Sequence, residues 1–232
     1  MPIRKVLFSL AAGFVLAASP VLAEDTIRTL TVTGEGRASG APDMATVNLG
    51  VQREARQAGA AMAAASEAAG AVLATLGDAG IESRDIQTTR IGLDPVYGRQ
   101  GDNAPPRITG YIASNDLVVR VRDLSSLGAV LDAVVSDGAN TFRGIRFGIS
   151  DPTVLAAEAR TAAVGDAITR AETLAAAAGL SLGDIQSLSE GGGGAIPQPM
   201  MRAAVMAESA VPVAQGEVDI TARVTIVYAI DE

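Results

Sequence analysis

The chain contains no cysteine, no histidine and no tryptophan, and its one lysine is Lys5. Without cysteine no disulfide can restrict the unfolded chain, so stability must come from a core and from assembly. The lack of histidine, cysteine and internal lysine excludes Ser-His-Asp and Cys-His nucleophile systems, Ser-Lys dyads, Schiff bases, zinc sites with nitrogen or sulfur ligands, and thiol redox chemistry. Aromatics are scarce as well. Beyond Phe8 and Phe14 in the leader there are Phe142, Phe147 and three tyrosines, too few for a platform that stacks sugars or bases; Tyr97 and Tyr111 read as partly buried strand residues. Carboxylate chemistry remains. The acids are mostly single and sit where structure explains them: Asp123 and Asp151 as caps, Asp85 and Asp184 at strand beginnings, Asp102 in a loop. No Asp-x-Asp-x-Asp-Gly run marks a calcium loop. The glycines at 191–194 lack the Lys-Ser/Thr that completes a phosphate loop. We expect no catalytic residue, no cofactor and no metal.

What is present begins with a leader. Arg4 and Lys5 precede an apolar run at 6–18, then Ser19-Pro20 and Val21-Leu22-Ala23, the pattern of a signal peptide cut before Glu24. The apolar run is shorter than the ~20 residues a spanning helix needs, and no cysteine follows for lipidation. The expected product is a soluble periplasmic chain with no transmembrane segment after cleavage, with room for peripheral association with the outer membrane. Losing Arg4 and Lys5 leaves 16 basic against 26 acidic residues, a balance that repels nucleic acid and anionic lipid.

Along the mature chain, strand-like and helix-like patterns alternate. Strands are expected at 30–34 and 44–51, joined by a turn-rich 36–43, and again at 85–93, 111–121, 143–149 and 218–230. Met62, Ala65, Ala69, Val72, Leu73 and Leu76 mark a helix over 56–78 that ends at Gly80. A second helix spans 124–137 between Asp123 and Gly138, and the longest starts at Asp151-Pro152 and closes at Gly179. Its expected buried stripe is Val164, Ile168, Ala171, Leu174 and Ala178.

Ala79-Gly80-Ile81 leads to Asp85-Ile86-Gln87, and Ala178-Gly179-Leu180 leads to Asp184-Ile185-Gln186, at equal spacing after each long helix. We read two βαββ units. The expected fold class is α+β: two small α/β subdomains from a duplicated βαββ unit, with mostly antiparallel sheets and Ala-rich helices packed on them. The expected partition is a leader at 1–23, a first subdomain at 24–107 plus 213–232, a second at 108–190, and a Gly/Pro/Met-rich loop at 191–212. The stretch at 191–216 is either disordered or used for contact, and its Met200, Met201, Val205 and Met206 are the expected oligomer contacts.

Leu30-Thr31-Val32-Thr33-Gly34-Glu35-Gly36, followed by Ala41-Pro42-Asp43-Met44-Ala45, resembles the opening signature of the SIMPL-domain family. Gly80-Ile81 with Asp85-Ile86-Gln87-Thr88, Thr109-Gly110-Tyr111, Gly138-Ala139-Asn140, Phe147-Gly148-Ile149-Ser150-Asp151 and Gly216-Glu217 are similar in order and spacing. The resemblance runs from about Thr29 to Ile230. It implies an α/β fold of two small subdomains, export to the periplasm, links to oxidative-stress defence in some members, and ring-like assembly in some. It implies no catalytic residue, and the methionine-rich loop matches no motif of the family.

The leading expectation is therefore an exported, non-enzymatic envelope protein that forms a homo-oligomer, linked to envelope or oxidative stress. The alternatives are a monomeric periplasmic module binding a small ligand or partner protein between its subdomains, and a hydrolase using two carboxylates.

Overall fold

The computed structural model describes residues 28–98, 105–191, 198–200 and 213–231. In chain order the elements are β1 (Thr29–Gly40), β2 (Met44–Ala55), α1 (Ala58–Asp78), β3 (Ile86–Gly98), β4 (Arg107–Val121), α2 (Leu127–Ser136), β5 (Thr141–Gly148), α3 (Thr153–Ala178), β6 (Ser181–Glu190), β7 (Gln198–Met200) and β8 (Glu217–Asp231). The class is α+β, as expected. The leader at 1–23 lies outside the described residues.

The strands form two antiparallel sheets. One runs β3-β4-β2-β5 and carries α1 and α2; the other runs β1-β8-β6, with β7 also paired to β8, and carries α3. The two share a local order, because β2-β4-β3 under α1 has the same plan as β1-β8-β6 under α3. The strand that precedes α3 in sequence, β5, nevertheless pairs with β2 in the other sheet, and β1 takes the place beside β8. The partition expected from the sequence is corrected accordingly. A boundary at 107/108 would separate β3 from β4, which pair along their whole length, because strands joined by a hairpin lie side by side. Likewise β6 belongs with β1 and β8.

All three helices end with a glycine at positive φ: Gly80 at 80°, Gly138 at 114° and Gly179 at 70°. In each case the next N–H reaches back to a carbonyl one turn earlier, Ile81 to Leu76, Ala139 to Val134 and Leu180 to Ala175. This closure satisfies helix-end carbonyls that would otherwise lack partners. At the other end of α3, Asp151 Oδ1 accepts from the Thr153 N–H at 3.0 Å. Asp123 Oδ1 accepts from the Ser125 N–H at 3.0 Å and organises the turn before α2.

The first sheet is packed conventionally. Ala45, Val47, Leu49 and Val51 of β2 with Leu117, Val119 and Val121 of β4 meet Ala69, Val72 and Leu76 of α1 and Leu127, Val130, Leu131 and Val134 of α2. By length and composition α1 is apolar enough to cross a membrane; here its buried stripe forms part of this core.

The second sheet is packed much more tightly. A Cβ on Gly34 would overlap the Ala163 carbonyl oxygen and the Ala167 nitrogen, and one on Gly36 would overlap the Ala159 oxygen and the Ala163 nitrogen. Strand and helix therefore meet backbone to backbone, and the helix residues at that contact can be no larger than alanine. Ala159, Ala163, Ala167, Ala171 and Ala175, four residues apart, are the buried face of α3. This corrects the expected stripe: Ile168 is 38% and Leu174 51% exposed, because the larger side chains have no room between helix and strand. The expected turn at 36–43 is corrected for the same reason. Most of it is strand, and Gly36 serves close approach.

Because β1 is an edge strand, its outward peptide groups lack a strand partner, and α3 supplies one. Asp166 Oδ2 accepts from the Glu35 N–H at 2.8 Å, while Arg170 Nη1 donates to the Thr33 carbonyl at 3.0 Å. The two side chains also pair with each other at 2.9 Å.

A methyl group forced into this contact should be costly. Gly34→Ala and Gly36→Ala are each expected to destabilise the protein by about 2–4 kcal/mol, from overpacking against backbone that cannot yield. Gly165→Ala, at a helical position with nothing within 4 Å of the new Cβ, should stabilise by about 0.5–1 kcal/mol. Urea unfolding of the three variants checks the order.

Candidate functional site

Of the four expected contact residues, Met200 falls in β7, where its backbone pairs with Glu217. Met201, Val205 and Met206 lie outside the described residues, as does Asp102. Among the described residues no group of three or more acids is placed to hold a metal ion.

A heavily charged cavity is one the sequence reading did not assemble. After Gly80 closes α1, the chain makes a single 3-10 turn at Ser83–Asp85 and enters β3. That turn points Asp85 inward, where its side chain is 3% exposed. Arg120 and Arg122 near the end of β4 are two residues apart, so both project to one side of the sheet. Arg122 grips the carboxylate with both arms, Nε to Oδ2 at 2.7 Å and Nη2 to Oδ1 at 2.8 Å, and Arg120 Nη1 adds a bond to Oδ1 at 3.2 Å. The Arg122 hydrogen bonds hold the Asp85 carboxyl below its ordinary range, against the opposing effect of burial and with further help from both guanidinium charges. Reciprocally, Asp85 raises Arg122. These groups line a cavity of about 290 Å³ together with Gly80, Ile81, Glu82, Asp123 and Ser126.

Asp85 was expected as a residue of local structure at a strand beginning. It immediately precedes β3, and its burial under two arginines depends on a pairing register that the linear sequence does not display: Ile86 sits opposite Val119, which sets Arg120 and Arg122 beside Asp85. In the second copy of the motif, Ile185 sits opposite Tyr228. The positions matching Arg120 and Arg122 are then Ala229 and Asp231, and Asp184 is exposed.

A second carboxylate lies on the open face of the same sheet. Asp116 Oδ2 accepts from Arg143 Nη2 at 2.9 Å, while its buried Oδ1 and the buried Thr141 Oγ1 have no hydrogen-bond partner. Gly50 lies between them, and a Cβ there would come within 2.7 Å of Asp116 Oδ1 and 2.8 Å of Thr141 Oγ1.

Apolar side chains also reach the surface. On edge strand β6, Ile185 and Leu188 are 51% and 54% exposed. Both lie on the helix side of their sheet, opposite the core residues Tyr228 and Ile226, but α3 sits mainly over β1 and β8 and does not cover them. Val154, Ile168 and Leu174 are exposed on α3 itself.

A family model described as "SIMPL: Protein of unknown function (DUF541)" matches residues 30–228. The 26 kDa periplasmic immunogenic protein of Brucella melitensis biotype 1 is 40% identical over 210 residues, covering 87% of this chain and 84% of the relative. The uncharacterized protein YggE of Edwardsiella ictaluri is 30% identical over 181 residues, covering 78% and 75%, and that of Escherichia coli K12 is 28% identical over 188 residues, covering 81% and 75%.

The Asp85 pair makes stability depend on acid. A carboxyl whose folded value is depressed contributes stability that is present above its unfolded value, ordinarily about 3.9, and that is lost as pH falls through the folded value. The urea midpoint should therefore drop as pH is lowered from about 5 towards 2. Asp85→Asn should destabilise by roughly 2 kcal/mol at neutral pH, below the usual range for a buried pair because both arginines are half exposed, and should flatten the acid limb. An unchanged acid limb in that variant contradicts the assignment.

Proposed function

The chain belongs to the SIMPL family, and on that premise we propose that it is an exported, non-enzymatic protein of the cell envelope that works as an assembly of its own copies. The observation that carries this reading is the uncovered apolar surface of the α3 unit: Ile185 and Leu188 on an edge strand, with Val154, Ile168 and Leu174 on the helix above the same sheet. A second copy of the chain is the occupant we assign to it. Half-exposed side chains of this kind each gain roughly 1 kcal/mol when covered. An edge strand adds a row of peptide groups ready to pair.

Three further points support the reading. A relative 40% identical over most of its length is named as periplasmic, and the leader pattern at 1–23 fits that compartment. The chain is without histidine and cysteine, and without lysine after the leader, which removes imidazole, thiol and amine groups from any catalytic scheme. The expected contacts Met200, Met201, Val205 and Met206 include three methionines, whose flexible thioether side chains suit contact with an irregular partner surface. Any part in envelope or oxidative stress is indirect in this scheme, since there is no thiol to oxidise, and contact with the outer membrane is peripheral.

Light scattering on the purified mature chain at micromolar concentration should give a mass several times that of one copy. The pair Ile185→Asp and Leu188→Arg, both at exposed positions, should reduce that mass while leaving the circular dichroism spectrum unchanged. A wild-type monomer across the micromolar range overturns the proposal.

A further inference from the structure

We propose that the cavity between the end of α1 and the start of α2 is a binding site for a compact oxyanion, carboxylate or phosphoryl, held by Arg120 and Arg122. It stands apart from the assembly surface and does not depend on it.

Hydrogen-bonding capacity is the first argument. Two guanidinium groups converge on one carboxylate. Asp85 engages Nε and Nη2 of Arg122 and Nη1 of Arg120, and a guanidinium has roughly five N–H donors, so most of them are unspent. The other two acids on the wall are already engaged. Glu82 pairs with Arg84 at 2.8 Å, and Asp123 accepts from both the N–H and the hydroxyl of Ser125. Counted with Arg84, the three guanidinium groups balance the three carboxylates around the cavity, so what is in surplus there is hydrogen-bond donors. Ser126, where α2 opens, also lines the cavity, so the positive end of the helix dipole also favours an anion there.

Preorganisation is the second. Asp85 is almost wholly buried and fixes Arg122 by a bidentate contact, so much of the rotamer freedom of that guanidinium is lost before any ligand arrives. Both arginines remain 46% exposed, which leaves their outer donors reachable from solvent.

The third is the contrast between the two copies of the motif. The second copy makes the same glycine closure but enters β6 directly at Ser181, with Ala229 and Asp231 at the matching positions and Asp184 exposed within the strand. The 3-10 turn, the buried aspartate and the arginine pair occur together in the first copy and not in the second. A cavity of about 290 Å³ holds an acetate or phosphate ion, or the acidic end of a longer molecule.

The test titrates the mature full-length chain with sodium phosphate, sodium acetate and sodium chloride at matched ionic strength, following thermal stability and the arginine Nε–H resonances. We expect phosphate or acetate, but not chloride, to give a saturable shift at millimolar concentration, and the tighter of the two identifies the oxyanion class. Arg120→Gln, which removes one half-exposed partner, should weaken that binding about tenfold, whereas Arg160→Gln, on α3 and paired with Glu190, should leave it unchanged. Equal responses to all three salts, no saturation, or undiminished binding in Arg120→Gln would each overturn the proposal. Should Arg120→Gln fail to fold, an Arg122 Nε–H resonance that does not move in the wild-type titration overturns it equally.

Discussion

Much of this structure depends on one contact, the backbone of α3 laid directly on the backbone of β1. It requires glycine at 34 and 36 on the strand and alanine at 159, 163 and 167 on the helix. The pair sits at an edge of its sheet, so the close approach also lets Asp166 and Arg170 reach the outward peptide groups of β1. One geometric fact thus sets the residue sizes on two elements and closes part of an edge that would otherwise be open to another strand.

The same closeness determines what the helix shows to the outside. A helix seated on methyl groups buries little apolar area per turn, and its larger residues must point elsewhere. On α1, with a more open approach, Val72 and Leu76 are buried; on α3, Val154, Ile168 and Leu174 are exposed. The α3 unit is therefore the thinner of the two cores and has the greater need of a covering partner. That difference follows from packing geometry, since both helices are alanine-rich.

Most elements were legible in the sequence because each announces itself locally: alternation in β4 and β8, helical spacing in α1, glycine closures after every helix. Three things were not. The stripe of α3 was misassigned because an alanine-rich helix has several faces of nearly equal hydrophobicity, and the choice among them is made by Gly34 and Gly36, more than a hundred residues away. The stretch from Gly36 to Asp43 was read as a turn because glycine and proline usually mark turns, whereas Gly36 is present to admit the helix. The partition into units was misplaced because β5 and β1 each pair outside the sheet that their position in the repeat suggests, and linear periodicity carries no information on which edge a strand joins.

The charged corner at Asp85 was missed for a related reason, and it shows where a duplicated fold can differ in function. Both copies keep a glycine that closes the helix and an Asp-Ile pair five residues further on, but only the first makes a 3-10 turn before its strand, whereas the second has Asp184 and Ile185 within β6. A further difference sits on the facing strand, at positions visible only once register is known. Arg120 and Arg122 stand in one copy where Ala229 and Asp231 stand in the other. A buried aspartate that holds Arg122 by both arms makes the remaining guanidinium donors a fixed feature of the surface, because the group cannot swing away to find other carboxylates.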